Sequence, residues 1–330
     1  MKLGIIGTGK IVREFLPALR QVDGLELTAI QSTPRSIETA RELCRTHDIP
    51  LATDDFEALC AAGVDTVYVA VPNALHYEYC KKALDAGLHV IAEKPMTSTY
   101  EEAAALAAHA KKKNLFLFEA VTTLYFPAYQ KIKEWLPEIG AVKIVQSQYS
   151  QYSSRYDAFQ RGEVLPAFDP KQAGGALMDL NLYNLHYVMG LFGKPTDAHY
   201  YANIDRGIDT SGVLIMQYDG FTAVCMAAKD CTGMSGGIIQ GTKGCIRSSE
   251  APNMVGTVTL ERHDGTTETY TAPAAPARVV PEFVRFVQAV DAGDYAFCYA
   301  QLERSLAVCE VQTRARRQAG IRFPSDEAVL

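Results

Sequence analysis

The sequence has no uninterrupted apolar run near the ~20 residues that cross a bilayer, so no membrane-spanning helix is expected. A surplus of positive charge is missing too. The 32 Lys and Arg stand against 38 Asp and Glu, and a net charge of −6 gives no basic surface for nucleic acid or an anionic membrane. No charged leader, apolar signal core or cleavage site precedes the opening apolar run, which makes the cytoplasm the expected location. The eight cysteines (44, 60, 80, 225, 231, 245, 298 and 309) contain no CxxC pair, and buried reduced thiols are expected. His76 and Cys80 have the i,i+4 spacing of ligands on one helix face. No third or fourth ligand stands near them, and no metal is expected. Internal repeats and low-complexity segments are absent.

What is present is a globular composition, 48% apolar and 21% charged, in a chain of 330 residues, too long for one ordinary core. The first third alternates short apolar runs (2–6, 25–31, 66–71, 88–92, 115–119) with amphipathic or Ala-rich stretches (10–22, 36–47, 54–62, 74–86, 100–113). Strands separated by helices predict βαβ crossovers and a doubly wound parallel sheet, with Gly87 and Asn114 where helix C-caps belong. After about residue 120 the pattern changes. A short helix through Trp135 closes at Gly140, and strand-like segments follow at 142–150, 212–218, 221–229, 236–241, 244–249, 255–263 and 266–272. Asp219-Gly220, Lys243-Gly244 and Asp264-Gly265 read as hairpin turns, because glycine accepts positive φ. Helices near 281–291 and 299–318 close the chain. The fold class is therefore α/β, a Rossmann sheet followed by an α+β domain with a large, mainly antiparallel open sheet. The domains are expected at 1–120, binding a dinucleotide, and 121–330, binding substrate and forming a dimer, with the C-terminal helices able to pack back on the first.

In open parallel sheets, ligands gather at the carboxyl ends of strands. Gly7-Thr8-Gly9-Lys10-Ile11 lies at such an end. Gly7 permits the tight turn and Gly9 lets backbone N–H groups approach a pyrophosphate, to which the next helix N-terminus adds partial positive charge. Val12 holds the place of the fingerprint's third glycine. The second strand ends in Gln31-Ser32-Thr33-Pro34-Arg35, with no carboxylate to repel a 2′-phosphate and with Ser32, Thr33 and Arg35 able to bind one. NADP is the preferred cofactor, with NAD the alternative. Val71, Pro72, Asn73 and His76 follow another buried strand and are read as edging the nicotinamide or ribose; an ordinary turn with Asn73 as N-cap and a packed His76 is equally compatible.

The run 88–92 ends in Glu93-Lys94-Pro95, which are also read as facing the cofactor. Proline restricts the lysine backbone and suits the positioning of one amine, although a surface Lys-Pro turn fits the same residues. Beyond Gly174-Gly175 the pattern turns helical, and Asp179, Tyr183 and His186 fall at i, i+4 and i+7 on one face. They read either as acid–base groups or as a dipole-compensating aspartate, a half-buried tyrosine and a terminal histidine.

The chain resembles the Gfo/Idh/MocA oxidoreductases, named after glucose–fructose oxidoreductase and inositol dehydrogenase. The resemblance runs over nearly the whole chain: Gly7-Thr8-Gly9, Val71-Pro72-Asn73-Ala74-Leu75-His76, Glu93-Lys94-Pro95, Gly174-Gly175 with Asp179 and Tyr183, and Gly241-Thr242-Lys243-Gly244. Glu119-Ala120 with Phe126-Pro127 looks further like the dimeric dihydrodiol and D-xylose dehydrogenase branch. The resemblance implies that Lys94 and Tyr183 form the proton-transfer pair, that Asp179 orients or assists, and that the open sheet face forms a homodimer or part of a higher oligomer. Asn181, His186, Thr122 and Leu124 depart from the usual residues and weaken the transfer of that branch's substrate. The expected reaction is hydride exchange between nicotinamide and a carbinol or carbonyl carbon of a sugar, polyol or vicinal diol. Tyr149, Tyr152, Arg155, Tyr156 and Phe168, with His186, are the candidate substrate contacts, since rings and a guanidinium suit a carbohydrate. A nucleotide-holding sensor and an enzyme that retains NAD(P) while acting on glycosides remain the alternatives.

Overall fold

A computed structural model describes residues 1–327. The chain divides into two compact units, one made of Met1–Ala120 with Ala275–Leu306, the other of Val121–Ala274 with residues 307–327.

The first unit is built on strands β1 (Lys2–Ile6), β2 (Glu26–Gln31), β3 (Leu51–Thr53), β4 (Thr66–Val69), β5 (His89–Glu93) and β6 (Leu117–Ala120). They lie in the order β3-β2-β1-β4-β5-β6, all pairs parallel. β4 is buried at every residue, the signature of a strand covered on both faces. The connecting helices are α1 (Lys10–Leu19), α2 (Ile37–Thr46), α3 (Phe56–Ala61), α4 (His76–Asp85) and α5 (Tyr100–Lys113). α5 begins with a reciprocal capping box between Thr99 and Glu102 and ends at Asn114 in the left-handed conformation, φ 53°. The sequence reading missed β3, whose three residues, two half-buried and one buried, are too few to show a period.

Residues 275–306 return to this unit. On the later helix Val280–Ala292, Phe283 meets Tyr68 edge-on at 5.4 Å and Phe286 stacks on Phe118 at 4.5 Å. Each such pair contributes about 0.5–1.5 kcal/mol beyond the area it buries.

The second unit has α6 (Pro127–Trp135), β7 (Val142–Ser150), α7 (Tyr156–Gln160), α8 (Leu182–Phe192), β8 (Asp197–Asp205), β9 (Ile208–Tyr218), β10 (Phe221–Ala228), β11 (Gly236–Gly241), β12 (Gly244–Ser248), β13 (Thr257–Arg262) and β14 (Thr267–Thr271). Its sheet runs β14-β13-β12-β11-β7-β10-β9-β8, antiparallel except where β10 lies parallel to β7. Side chains alternate between faces along each strand. Val145, Ala223, Leu214, Ile239, Ile246 and Val258 face a core shared with Tyr129, Ile132, Leu185 and Val188 of the helices. On the opposite face Ile144 is 43% exposed, and Gln146, Met226 and Ile238 are exposed or half-buried.

Two features differ from expectation. β8 was missed because Asp197, His199, Tyr201 and Asn203 all project to the exposed side, leaving only Ala198 and Tyr200 as buried apolar signals along most of it. Its turn, Arg206-Gly207, uses positive φ at both residues (49° and 79°), as a two-residue hairpin requires. Asp219-Gly220 does close a two-residue hairpin, but Lys243-Gly244 is not the turn: Thr242 and Lys243 lie between the strands and Gly244 opens β12, where a Cβ would lie 2.3 Å from the Glu261 carbonyl oxygen. Asp264-Gly265 instead sits in a four-residue loop, because the Asp264 carboxylate accepts from the backbone N–H and hydroxyl of Thr266 and widens the turn.

Candidate active site

In the first unit β1 runs into Gly7, whose φ of 121° belongs to glycine. A Cβ there would lie 2.4 Å from the Ala70 carbonyl oxygen on the neighbouring strand, so the two backbones approach at this point only because the side chain is absent. A Cβ on Gly9 would meet nothing within 4 Å. Gly9 is the N-cap of α1, no side chain caps the helix, and no acidic residue occupies its first turn. The leading N–H groups therefore have no protein carboxylate competing for them, which fits a pyrophosphate. Gly9 and Lys10 are exposed; Thr8 and Ile11 are half-buried.

At the end of β2, Thr33 and Arg35 are exposed and Thr33 shares a 3.0 Å hydrogen bond with Ser36. Ser32 is buried, its hydroxyl donating to the Thr33 carbonyl at 3.2 Å. After β4, Val71-Pro72 leads into a short 3-10 turn that starts at Asn73, so Asn73 does not cap α4. His76 is fully buried. One ring nitrogen lies 2.7 Å from the Pro95 carbonyl oxygen and the other 2.9 Å from that of Val71. Burial lowers the imidazole pKa, opposed by these two carbonyls and by Glu93 and Glu119. A ring saturated in this way does not reach a cofactor. His76 ties the strand-end turn of β4 to that of β5, and the expected cofactor contact is corrected to this role.

The turn that carries Lys94 is held by acidic side chains from three places. Glu93 accepts from the Lys94 N–H at 3.0 Å and Glu119 from the Met96 N–H at 2.9 Å. Glu102 accepts from the N–H groups of both Ser98 and Thr99, at 3.0 and 3.2 Å. Hydrogen bonds to an ionised acceptor are roughly twice as strong as neutral ones. With His76 on the Pro95 carbonyl, the backbone beneath the half-buried Lys94 is fixed from several directions; the Lys94-Pro95 peptide is cis. Behind it, Tyr68 donates to Glu93, and Glu282 is buried with its Oε2 lacking a partner among the described residues. Burial, then the charge of Glu93, push the Glu282 carboxyl well above its usual range, against the pull of Arg278.

In the second unit Gly175 (φ 104°) precedes a π-helical stretch, Leu177–Asn181, that merges into α8. Such wide turns recur at functional sites. Asp209 explains the glycine. Its Oδ2 accepts from the Leu177 N–H at 2.6 Å and from the Tyr200 hydroxyl at 2.7 Å, while its Oδ1 lies 2.1 Å from where a Gly175 Cβ would stand. Burial raises the Asp209 pKa to about 6, against those hydrogen bonds and the charge of Lys229. Asp179 sits in the π stretch, its side chain 34% exposed and ion-paired with Lys229 at 2.8 Å. Tyr183 follows on α8, mostly buried, its ring 6.1 Å from that of Tyr149, whose hydroxyl accepts from Asn253 at 3.3 Å.

Asn181 belongs to a buried chain. It donates to the Cys225 carbonyl and accepts from Asn184, which in turn accepts from the Ser147 hydroxyl. Helix and sheet are thereby locked together.

The substrate candidates separate. Arg155 is exposed, and Tyr156 is half-buried against Tyr152 and Phe168. Phe168 is fully buried, stacked on Phe159 at 4.9 Å, so it supports the region rather than touching a ligand. His186 is fully buried in α8, whose residues 182–189 are all enclosed, and is likewise removed as a substrate contact. Lys229 was missed. Its one signal was available, a lone lysine directly after an apolar strand, the same pattern that marks Lys94.

The doubly wound sheet, its open helix N-terminus and a lysine fixed at the end of a strand two positions along the sheet define a nucleotide-dependent oxidoreductase. Residues 1–121 match the oxidoreductase family with an NAD-binding Rossmann fold, and residues 129–247 match the GFO/IDH/MocA C-terminal domain. The chain is 35% identical to scyllo-inositol 2-dehydrogenase (NADP(+)) IolU of Bacillus subtilis, over 99% of this chain and all of that one. It is 32% identical to D-xylose 1-dehydrogenase (NADP(+)) 2 of Haloferax volcanii, over 87% and 89%. Among solved structures it superposes on KijD10, a 3-ketoreductase from Actinomadura kijaniata in complex with TDP-benzene and NADP, with a TM-score of 0.81 and 26% identity over 98% of each chain. The chain belongs to the Gfo/Idh/MocA family of NAD(P)-dependent oxidoreductases.

Proposed function

We propose that this protein is an NADP-dependent dehydrogenase of an uncharged polyol or sugar, acting on a ring or chain CH–OH group. The full-length identity to an inositol dehydrogenase and the NADP(+) in two relatives' names support this reading. The observation that carries it is the Lys94 turn, fixed by Glu93, Glu119, Glu102 and His76 within the unit that holds the cofactor loop. That much rigidity around one amine is what a proton-transfer group needs.

The Gly7–Ile11 loop and the N-terminus of α1 hold the pyrophosphate, Thr33 and Arg35 hold the 2′-phosphate, and Val71 and Pro72 border the nicotinamide ribose. Bound nicotinamide supplies the hydride acceptor for oxidation of the carbinol carbon. As the C–H bond breaks, one member of the Lys94 and Tyr183 pair accepts the hydroxyl proton, while Asp179 accepts a hydrogen bond that orients the substrate. Arg155 and Tyr156 contact the outer part of the substrate. The exposed face of the second unit's sheet, with Ile144 and Met226 on it, is the proposed homodimer surface, and the cytoplasm the proposed location.

A panel of scyllo-inositol, myo-inositol, D-xylose and a vicinal diol, followed at 340 nm with NADP+ and with NAD+, tests this directly. Lys94→Ala is expected to lower turnover by about 10²–10⁴-fold, the span of acid–base catalysis, with cofactor affinity within a few-fold. Near-normal turnover in that variant would sink the acid–base assignment, and tighter binding of NAD+ than NADP+ would reject the cofactor preference.

A further inference from the structure

Lys229 lies just beyond β10, and its side chain is 3% exposed. An ammonium group so enclosed needs several partners. It has them: Nζ donates to the Asp179 Oδ2 at 2.8 Å and to the Ala167 carbonyl at 2.8 Å, and lies 4.9 Å from the centre of the Phe168 ring. Its backbone is held equally well. The Lys229 N–H donates to the Thr210 carbonyl at 2.8 Å, and its carbonyl accepts from the Ser153 N–H at 2.9 Å. The buried cation is therefore stationary, and among the described residues the carboxylate ion-paired with it is that of Asp179. The neighbouring Asp230 points elsewhere, to the hydroxyls of Thr210 and Ser211.

We infer that Lys229 is a positioning residue for the reaction: it clamps one oxygen of Asp179 and balances its charge, so that Asp179 serves as a fixed hydrogen-bond acceptor for a substrate hydroxyl and not as the proton donor. The inference rests on the proposed role of Asp179 in substrate binding. It connects two features: the Phe168 ring lies beneath the cation as well as on Phe159, and β10 continues its pairing past Ala228 so that residue 229 is held at both its N–H and its carbonyl. It also narrows the substrate class. The buried cation already balances the carboxylate, so the pair presents no net charge to a ligand, which suits a neutral polyhydroxy compound more than a sugar acid or phosphate.

The test uses four variants of the full chain, with the fastest substrate of the panel above and, for comparison, glucuronate, which carries a carboxylate on an otherwise intact sugar ring. Lys229→Gln keeps a donor for the Ala167 carbonyl but removes the charge. It is expected to lower kcat/KM by about tenfold to a hundredfold, with unchanged NADPH affinity and an unfolding midpoint close to that of the parent. Lys229→Arg is expected to recover most of the loss. The combination Lys229→Gln with Asp179→Asn is expected to be no worse than Asp179→Asn alone, because the two act as a unit. A Lys229→Gln loss that adds in full to that of Asp179→Asn overturns the clamp, as does a Lys229→Gln enzyme with parental kinetics. If Asp179→Asn is itself silent, the proposed site fails, and the inference with it. A parent enzyme that prefers the carboxylate substrate would overturn the charge-balance argument while leaving the clamp to the mutant cycle.

Discussion

Gly175→Ala is a one-carbon change whose cost can be worked from the geometry. At φ 104° an alanine leaves its allowed region, at about 1–2 kcal/mol. The new Cβ would lie 2.1 Å from the Asp209 Oδ1 and 3.1 Å from the Ile208 Cδ1, so the carboxylate must move. Moving it breaks or stretches the bonds from the Leu177 N–H and the Tyr200 hydroxyl, each worth about 1.5–3 kcal/mol to a charged acceptor. About 4 kcal/mol is the expected loss when both bonds go at the low end of that range. Against the 5–15 kcal/mol that holds typical domains together, this is severe. The assay is urea unfolding followed by fluorescence of Trp135, the chain's single tryptophan, which is buried in the second unit. Adding Asp209→Ala to Gly175→Ala should cost less than the two separate losses combined, because the clash partner is gone. A Gly175→Ala protein within about 1 kcal/mol of the parent would refute the account of this glycine, since the conformational penalty alone reaches that size.

Gly7→Ala is expected to leave the fold intact but weaken NADPH binding by about tenfold or more, or about 1.4 kcal/mol, because a Cβ 2.4 Å from the Ala70 carbonyl displaces the phosphate loop; titration of NADPH fluorescence measures this, and unchanged affinity would exclude the loop from the site. Glu282→Gln addresses the buried carboxyl behind Glu93. The folded-state pKa of Glu282 is raised, so its favourable contribution is complete below the unfolded value near 4.5 and is lost as pH rises toward the folded one. The variant should therefore gain in unfolding temperature relative to the parent between pH 5 and pH 8. Parallel curves over that window would show that Glu282 carries no such penalty.

Much of the first unit was readable from periodicity alone. Short β-branched runs alternating with amphipathic stretches have few other solutions, and the loop at Gly7–Gly9 sits where such a sheet collects ligands. The single lost strand, β3, is three residues long. The second unit was read less completely. Its hairpins announced themselves where Asp-Gly marks the turn, but β8 shows its polar side to the outside and hid in the sequence. Lys94, Asp179 and Tyr183 stood out because each follows a structural break that a reader can see, a strand end or a pair of glycines.

Local pattern thus determined most of the elements, the glycine loop and the candidate reacting residues, since backbone preference and burial period act over neighbouring residues. Only tertiary structure decided which of those residues a ligand can meet and which merely hold others in place. His76, Phe168 and His186 proved to be enclosed, and Lys229, 50 residues from Asp179, proved to be its partner. The reason is physical: pairing, burial and charge balance arise between side chains distant in sequence, and no spacing rule records which of them the sheet will bring within 3 Å.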